Sequence, residues 1–425
     1  MLVKPAFRLK ISLFINYFLF AILLNSVGTV ILQVQHYFGT LESQASLIEL
    51  FKDFGLALTS FLIASFITRI GYKNSMLIAL FLVAAGCFIL PSVKALIAVK
   101  VLFLITGACF ALVKISVFGC IGLIANNNKE HISLMNYIES FFMAGIFAGY
   151  FIFSRFINDS QPSSPAWFQV YYLLGGSVLF AALLLWTTPV DESGIKFSRE
   201  KDLFRGFSSL FQLILMPLVA SFIVCSFLYV LVEQSIMSWL PTYNNKVLGI
   251  PAVLSVKVTS TLAAATALGR FIAAMVLKRY NWFSVLTGCL AAAATIVLIG
   301  LYLSEKSNYR KVNNWFNVPT AAWVFPVIGF FLAPVYPAIN SVVLASLPKS
   351  CHGMMSGLIV IFSALGGSFG SVVTGYIFQY YGGKTAFYFP LLAMTLLLLS
   401  IFAFEKMRSN HNVMARPMKF GITPS

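Results

Sequence analysis

The sequence predicts an all-α membrane protein with twelve transmembrane helices in two bundles of six. Three observations predict this fold class: a series of long apolar runs, a composition low in charge, and an uneven distribution of basic residues between the loops. Apolar residues make up 59% of the 425 residues and charged residues only 10%. A soluble domain carries about 25% charged residues, so this chain is expected to lie in lipid.

Each apolar run is long enough to cross a bilayer, which takes about 20 residues in a helix. A single run of this length could be a buried core helix, but twelve in series could not. The predicted spans are 11–33, 45–68, 75–93, 96–125, 133–154, 168–189, 212–240, 253–277, 283–302, 321–346, 355–379 and 385–404.

The basic residues predict the orientation of the chain. With a cytoplasmic N-terminus, the inner segments hold 17 lysines and arginines and the outer loops hold 7. Basic residues favour the cytoplasmic side of a membrane. We therefore expect a multi-pass protein of the cell inner membrane with both termini in the cytoplasm. Because the net charge of +16 is explained in this way, it does not indicate a nucleic-acid partner.

The longest predicted cytoplasmic connection, 191–211, is polar and separates six spans from six. It divides the chain into an N-terminal bundle, 1–190, and a C-terminal bundle, 212–404, followed by a basic tail, 405–425, that is expected to be disordered. Spans 5 and 11 each carry a Gly-x-x-x-Gly pattern, at Gly145 and Gly366. Small residues at this spacing let helices approach closely, so helix packing is their expected role.

Several short motifs resemble the major facilitator superfamily. The junction of spans 2 and 3 ends in Arg-x-Gly-Tyr-Lys at 69–73, which is similar to the loop signature of that superfamily. The run Leu-Tyr-Val-Leu-Val-Glu at 228–233 and the run Ala-Leu-Gly-Arg-Phe-Ile-Ala at 267–273 resemble the fucose/galactose/glucose:proton symporter branch. The resemblance implies a transporter of the major facilitator fold in which spans 1, 4, 7 and 10 line a central cavity.

Span 4 departs from that branch. The branch carries a Glu-Thr-Ala-Ala-Asn-Pro string whose acid is tied to proton coupling, whereas this chain reads Leu-Val-Lys-Ile-Ser-Val at 112–117. The acid is missing and a lysine, Lys114, follows two residues later. A buried lysine needs a partner, so Lys114 either pairs with an acid or meets an anionic solute.

Charged residues inside the spans are the other functional candidates, because each costs at least about 2.5–3.5 kcal/mol to insert. Asp53 and Glu233 are carboxylates that could carry a proton. Glu233 could also bind solute hydroxyls or pair with Lys257. Lys52 and Lys257 lie near the outer ends of their spans, where a long stem could reach water.

The predicted solute-binding residues are polar or aromatic and lie on spans 1, 4, 7 and 10. They are Asn25, Lys114, Glu233, Gln234, Trp239, Tyr336 and Asn340. Pro334 and Pro337 are expected to interrupt span 10, because proline breaks the helical hydrogen-bond ladder. The interruption either creates a hinge or leaves backbone carbonyl groups available to the solute.

Glu139 and Arg270 are predicted to form a gate. Each lies six or seven residues from the cytoplasmic end of its span, which is roughly 10 Å at 1.5 Å per residue. An ion pair between them would form when the inside is closed. In the alternative, each is tied within its own bundle.

Together these features predict a secondary active transporter that imports a small polar, sugar-like solute by alternating access, driven by a proton gradient. An enzyme is not expected: the sequence has no Walker motif, and its six cysteines are spaced singly, so no metal or other cofactor is expected. The expected partners are the solute, the proton and the lipid bilayer, and the protein is expected to be a monomer. The alternatives are a transporter or exporter of an anionic solute held by Lys114, and a non-transporting multi-span receptor.

Overall fold

The computed structural model describes residues 5–63, 67–124, 127–192, 214–306, 312, 314–346 and 352–413. All regular secondary structure in these ranges is helical. Eleven of the described helical segments are long and apolar enough to cross a membrane. The segment that the sequence predicts as span 2 is also a helix of 22 residues, but it carries two glutamates, an aspartate and a lysine. The all-α membrane fold is therefore confirmed.

The helices of the first half are numbered in chain order. They are α1 (Pro5–Asn25), α2 (Val27–Phe38), α3 (Glu42–Ile63), α4 (Ile67–Ile70), α5 (Tyr72–Val93), α6 (Leu96–Ile124), α7 (Asn128–Ser154) and α8 (Val170–Trp186).

The second half continues the numbering. Its helices are α9 (Pro217–Met237), α10 (Leu240–Lys246), α11 (Ala252–Val276), α12 (Trp282–Lys306), α13 (Thr320–Leu332), α14 (Val335–Ser346), α15 (His352–Tyr381), α16 (Gly383–Ala386) and α17 (Phe389–Val413). Most of the predicted linker, 193–211, lies outside the described residues.

Three predicted spans differ in detail. Span 1 was predicted as one helix but is broken at Ser26, whose hydroxyl bonds to the Leu23 carbonyl. Span 7 is broken at Trp239, between α9 and α10. Helix α17 continues to Val413, nine residues into the segment predicted as a disordered tail. Span 10 is interrupted at Pro334, since α13 ends before it and α14 begins after it; whether the break acts as a hinge or exposes carbonyl groups to the solute stays a prediction.

The helix packing repeats between the two halves. In the first half α1 packs on α7, α3 on α6 and α5 on α8; in the second half α9 packs on α15, α11 on α13 and α12 on α17. Glycine lies at several of these contacts. Gly145 lies against the Phe18 carbonyl of α1, and Gly366 lies against the Phe227 carbonyl of α9. The Gly-x-x-x-Gly patterns therefore have the packing role that the sequence predicts.

The halves meet mainly along two helix pairs, α3 with α15 and α7 with α11, and α2 contacts α10 at one end. We call the side where α1 begins the near face and the opposite side the far face. Ile146 and Tyr150 of α7 pack with Val256 of α11 in a buried cluster toward the far face.

The close approach of α15 to α9 gives a test of the packing. Gly366→Ala should destabilise the protein by about 1–3 kcal/mol, a typical cost of overpacking, because the new methyl group would meet the Phe227 carbonyl. The thermal midpoint of the purified protein measures this. Gly357→Ala on the same helix is the control, since nothing lies within 4 Å of its added carbon. Equal midpoints for both variants would contradict this packing.

Candidate functional site

A cluster of three charges occupies one face of α3 inside the protein. Lys52 and Asp53 lie three and four residues after Glu49, so both side chains share a face of the helix with the Glu49 side chain. The Lys52 ammonium pairs with a Glu49 carboxylate oxygen and lies 3.3 Å from Asp53 Oδ1. The residues are 0%, 7% and 5% exposed. The expectation that Lys52 reaches water is therefore wrong, because two carboxylates hold it inside.

Two serines of the second half bind the carboxylates of this cluster. Ser238, which follows α9, donates a hydrogen bond to Glu49 Oε2 at 2.8 Å. Ser368 on α15 donates to Asp53 Oδ2 at 3.2 Å. The α15 backbone is close here, because a carbon added to Gly367 would lie 2.8 Å from the same Asp53 oxygen. The charge cluster thus lies at the junction of the two halves.

Glu49 is a functional candidate that was not predicted from the sequence. The signal was present, since Glu49, Lys52 and Asp53 form an acid–base–acid pattern on one helical face within a predicted span. It was missed because Lys52 and Asp53 were each considered alone.

Asn25 and Gln234, two predicted solute-binding residues, line one small cavity beside the charge cluster. Glu49, Lys52 and Tyr150 also line it. Asn25 donates from Nδ2 to the Ala21 carbonyl at 3.0 Å, and the Gln234 Oε1 is 3.1 Å from the Ser238 hydroxyl. The break between α1 and α2 therefore faces the break after α9.

A second polar group lies in the second half around Glu233. The Tyr229 hydroxyl donates to Glu233 Oε1 at 3.1 Å, and its ring stacks on that of Tyr336 with centroids 5.3 Å apart. The Tyr336 hydroxyl is 2.9 Å from the hydroxyl of Ser363, which in turn is 3.0 Å from the hydroxyl of Ser226. Glu233 and Lys257 form no ion pair, so that alternative is not found.

Asn340 extends this group, which we call the hydroxyl cluster (Ser226, Tyr229, Glu233, Tyr336, Asn340 and Ser363). Asn340 interacts with Tyr336, and its Oδ1 is buried without a hydrogen-bond partner. Tyr229, Ser226 and Ser363 were not predicted from the sequence, because isolated hydroxyl residues on apolar helices carry little signal.

Trp239 does not contact the hydroxyl cluster in this conformation. It is fully buried, and its indole N–H donates to the Ser371 carbonyl at 2.9 Å and to the Ser371 hydroxyl at 3.2 Å. The ring packs at 5.4 Å from that of Phe378. Its one donor is occupied within the second half, so here it packs α15 against α9 and is not available to a solute.

Lys114 has aromatic neighbours and no acidic partner among the described residues. Its ammonium lies 5.9 Å from the ring centres of Phe110 and Phe118. No described acid forms an ion pair with it, although its helix is described along its whole length. Of the two roles predicted for Lys114, pairing with an acid is not found in this conformation.

The predicted gate residues are apart. The Tyr17 hydroxyl donates to Glu139 Oε1 at 3.3 Å, within the first half. Arg270 reaches across to the first half, but its Nη1 lies 3.7 Å from the Met143 sulfur, one helical turn from Glu139. Arg270 also lies in the electrostatic range of Glu233. An ion pair between Glu139 and Arg270 is absent here and stays a prediction for the other conformation.

Polar contacts between the halves close the far face. Glu42 and Lys246 form an ion pair of 2.6 Å, and the Asp159 carboxylate accepts from the Val253 backbone N–H at 3.0 Å. His36 Nε2 lies 3.1 Å from Asn245 Oδ1. Burial lowers the pKa of His36, so its neutral imidazole makes this contact near neutral pH.

These features define a class of protein. The chain crosses the membrane many times, repeats its helix packing in two halves, and holds unbalanced charges where the halves meet. Such an arrangement belongs to a membrane transporter and not to an enzyme. A model of the Major Facilitator Superfamily matches residues 13–368, and the chain belongs to that superfamily.

Solved structures of transporters share the fold along nearly the whole chain. The nucleoside transporter NupG is 15% identical with a TM-score of 0.71, covering 95% of this chain and 99% of that one. A bacterial homologue of the lysosomal transporter Spinster, inward-facing and unoccupied, is 13% identical with a TM-score of 0.73, covering 96% and 99%.

The fucose:proton symporter FucP of E. coli is 19% identical with a TM-score of 0.61, covering 94% of this chain and 98% of that one. At these identities the likeness shows the fold alone. No match to this chain was found among curated proteins.

The separation of Glu139 and Arg270 in a far-closed conformation predicts a state-dependent pair. We expect Glu139→Gln and Arg270→Gln each to lower the near-closed population, and the double variant to lower it no further. Spin-label distances between the halves at the near face measure the populations. Glu130→Gln is the matched control, because Glu130 pairs with Lys10 in its own half and should show no coupling to Arg270→Gln. Zero coupling for Glu139 as well would remove the gate.

Proposed function

We propose that this protein is a proton-coupled secondary transporter that imports a small polar, sugar-like solute by alternating access. The observation that carries the proposal is the charge cluster of α3, buried at the junction of the halves and bound by serines of the second half. The near face is proposed to be cytoplasmic and the membrane to be the cell inner membrane, in agreement with the basic residues of the inner segments.

The hydroxyl cluster is the proposed solute site. It offers the Glu233 carboxylate, two tyrosine hydroxyls and the free Oδ1 of Asn340, together with the stacked rings of Tyr229 and Tyr336. Carboxylate and amide oxygens accept hydrogen bonds from solute hydroxyls. Asn25 and Gln234 would meet the solute from the cavity between the halves.

Asp53 is the proposed proton site. It contacts Lys52 in its own helix and Ser368 in the opposite half. A change in its charge would therefore alter contacts in both halves. Fucose and xylose symporters among the solved relatives are named as proton symporters, which supports coupling here without establishing it.

Asp53→Asn should abolish accumulation against a gradient and leave solute binding within a few fold, because the amide keeps the shape and cannot carry the proton. Uptake into proteoliposomes with and without an imposed pH gradient measures this, using the solute that most raises the thermal midpoint in a screen of sugars and organic anions. Glu305→Gln, an exposed carboxylate at the far end of α12, is the control. Accumulation by Asp53→Asn at the wild-type level would remove Asp53 from the mechanism.

A second candidate is transport of an anionic solute held by Lys114, favoured by the absence of an acidic partner for this lysine among the described residues. On this candidate Lys114→Ala weakens binding of an organic anion at least tenfold and leaves the thermal midpoint of the free protein near the wild-type value. Isothermal titration with the anions of the screen measures this.

Lys100→Ala, on the same helix and also partly exposed, is the matched control. Equal binding of neutral sugars to the wild type and to Lys114→Ala, with no binding of anions to either, would reject the anionic candidate.

A further inference from the structure

The charge cluster contains two carboxylates and one ammonium group, so it is not neutral when all three residues are ionised. The charges of Glu49, Lys52 and Asp53 are −1, +1 and −1, which sum to −1. The cluster is buried in the far-closed conformation. Two serine hydroxyls from the second half are the donors that meet this surplus charge.

Closing the far face removes this surplus charge from water. When the halves part, Ser238 and Ser368 leave with the second half and water takes their place. When the halves close, two hydroxyl dipoles replace that water. Burying an unpaired charge costs several kcal/mol in the low dielectric of a protein interior, and a carboxyl group avoids the cost by binding a proton.

We propose that closure of the far face takes up one proton on this cluster, and that Lys52 fixes the number at one by neutralising one of the two carboxylates. The inference rests on the proposed function, in which Asp53 is the proton site. It adds Glu49 as the second acid that shares the proton. It also makes Lys52 the residue that sets the number of protons taken up per closure.

Among the residues that the structure describes, two other titratable groups interact with the cluster. Tyr150 of α7 lies in the electrostatic range of Glu49, and Glu233 of α9 lies in that of Lys52. From α15 the facing groups are Ser368 and the backbone at Gly367. Tyr150 is neutral near pH 7, and Glu233 has its own partner in Tyr229. At the far face burial lowers the pKa of His36, so His36 is replaced by glutamine (His36→Gln) in every protein tested, and the remaining proton count of closure is governed by Glu49, Lys52 and Asp53.

Charge counting predicts the pH dependence of closure for each variant. The surplus is −1 in the wild type, 0 in Glu49→Gln and in Asp53→Asn, and −2 in Lys52→Gln. It returns to −1 in the double variant Glu49→Gln with Lys52→Gln. The ratio of closed to open protein changes tenfold per pH unit for each proton taken up. Per pH unit, the closed-to-open ratio should therefore change about tenfold in the wild type and not at all in Glu49→Gln or Asp53→Asn. It should change up to about a hundredfold in Lys52→Gln and about tenfold in the double variant.

Electron–electron distance measurements on the purified full chain test this without any solute. Spin labels are placed at Leu41 of the first half and Tyr381 of the second half, which are 49% and 74% exposed at the far face. The accessible native cysteines are replaced first. The closed fraction is followed from pH 5 to pH 8. In the wild type it should rise as the pH falls, because the closed state holds the extra proton.

Lys52→Arg is the matched control, since it keeps the positive charge and should keep the one-proton slope. If Lys52→Gln alone fails to fold, the double variant still tests the count, because it has the wild-type surplus without the lysine. A wild-type closed fraction that is independent of pH, or a pH dependence that persists in both Glu49→Gln and Asp53→Asn, would overturn the inference. A failure of gradient-driven uptake in a wild type that shows the one-proton slope would instead count against the proposed function.

Discussion

A lysine held between two carboxylates inside the membrane is the interaction on which the rest of this structure depends. Lys52 can be buried only because Glu49 and Asp53 lie on the same face of α3, and the surplus carboxylate can be buried only because the second half supplies serine hydroxyls. Hydrogen bonds to charged groups are worth about 1.5–3 kcal/mol each. The free energy of two such bonds across the junction is comparable with the free-energy difference between two conformations of a protein, which is a few kcal/mol.

Helix packing holds this cluster at the junction. Gly107 of α6 lies directly against the Lys52 carbonyl, so the α3 backbone is fixed where its charges begin. On the other side, Trp239 ties α9 to α15 through Ser371, which places Ser238 and Ser368 on one surface. Each half is thus packed up to the contact, and the hydrogen bonds of Ser238 and Ser368 join one half to the other.

Much of this could be predicted from the sequence, and the misses have physical causes. The length of the apolar runs predicted the helices but not the break at Ser26. A single serine whose hydroxyl bonds to the preceding turn hardly changes the hydropathy of the run. Single charges in spans pointed to Asp53 and Glu233, whereas Glu49 was not predicted, because its signal was only its spacing to Lys52. Trp239 was predicted as a solute contact on resemblance alone, but its only hydrogen-bond donor, the indole N–H, is bonded to Ser371. Contacts between spans distant in sequence, such as Asp53 with Ser368, could not be predicted because a single sequence gives no pairing between helices.

The remaining intramembrane charges bear on the nature of the solute. Lys100, Lys114, Lys257 and Arg270 contribute +4, and Glu139 and Glu233 contribute −2, so these charges have a surplus of +2. Arg270 is in the electrostatic range of Glu233, and Lys114 flanks Phe110 and Phe118, both packed on the Tyr17 ring whose hydroxyl holds Glu139. A neutral polyhydroxy solute bound among these groups leaves the surplus unchanged. An anion bound beside Lys114 would offset part of the positive surplus in a half-buried region where unpaired charge is costly, so the charge count keeps the anionic candidate beside the neutral, sugar-like solute.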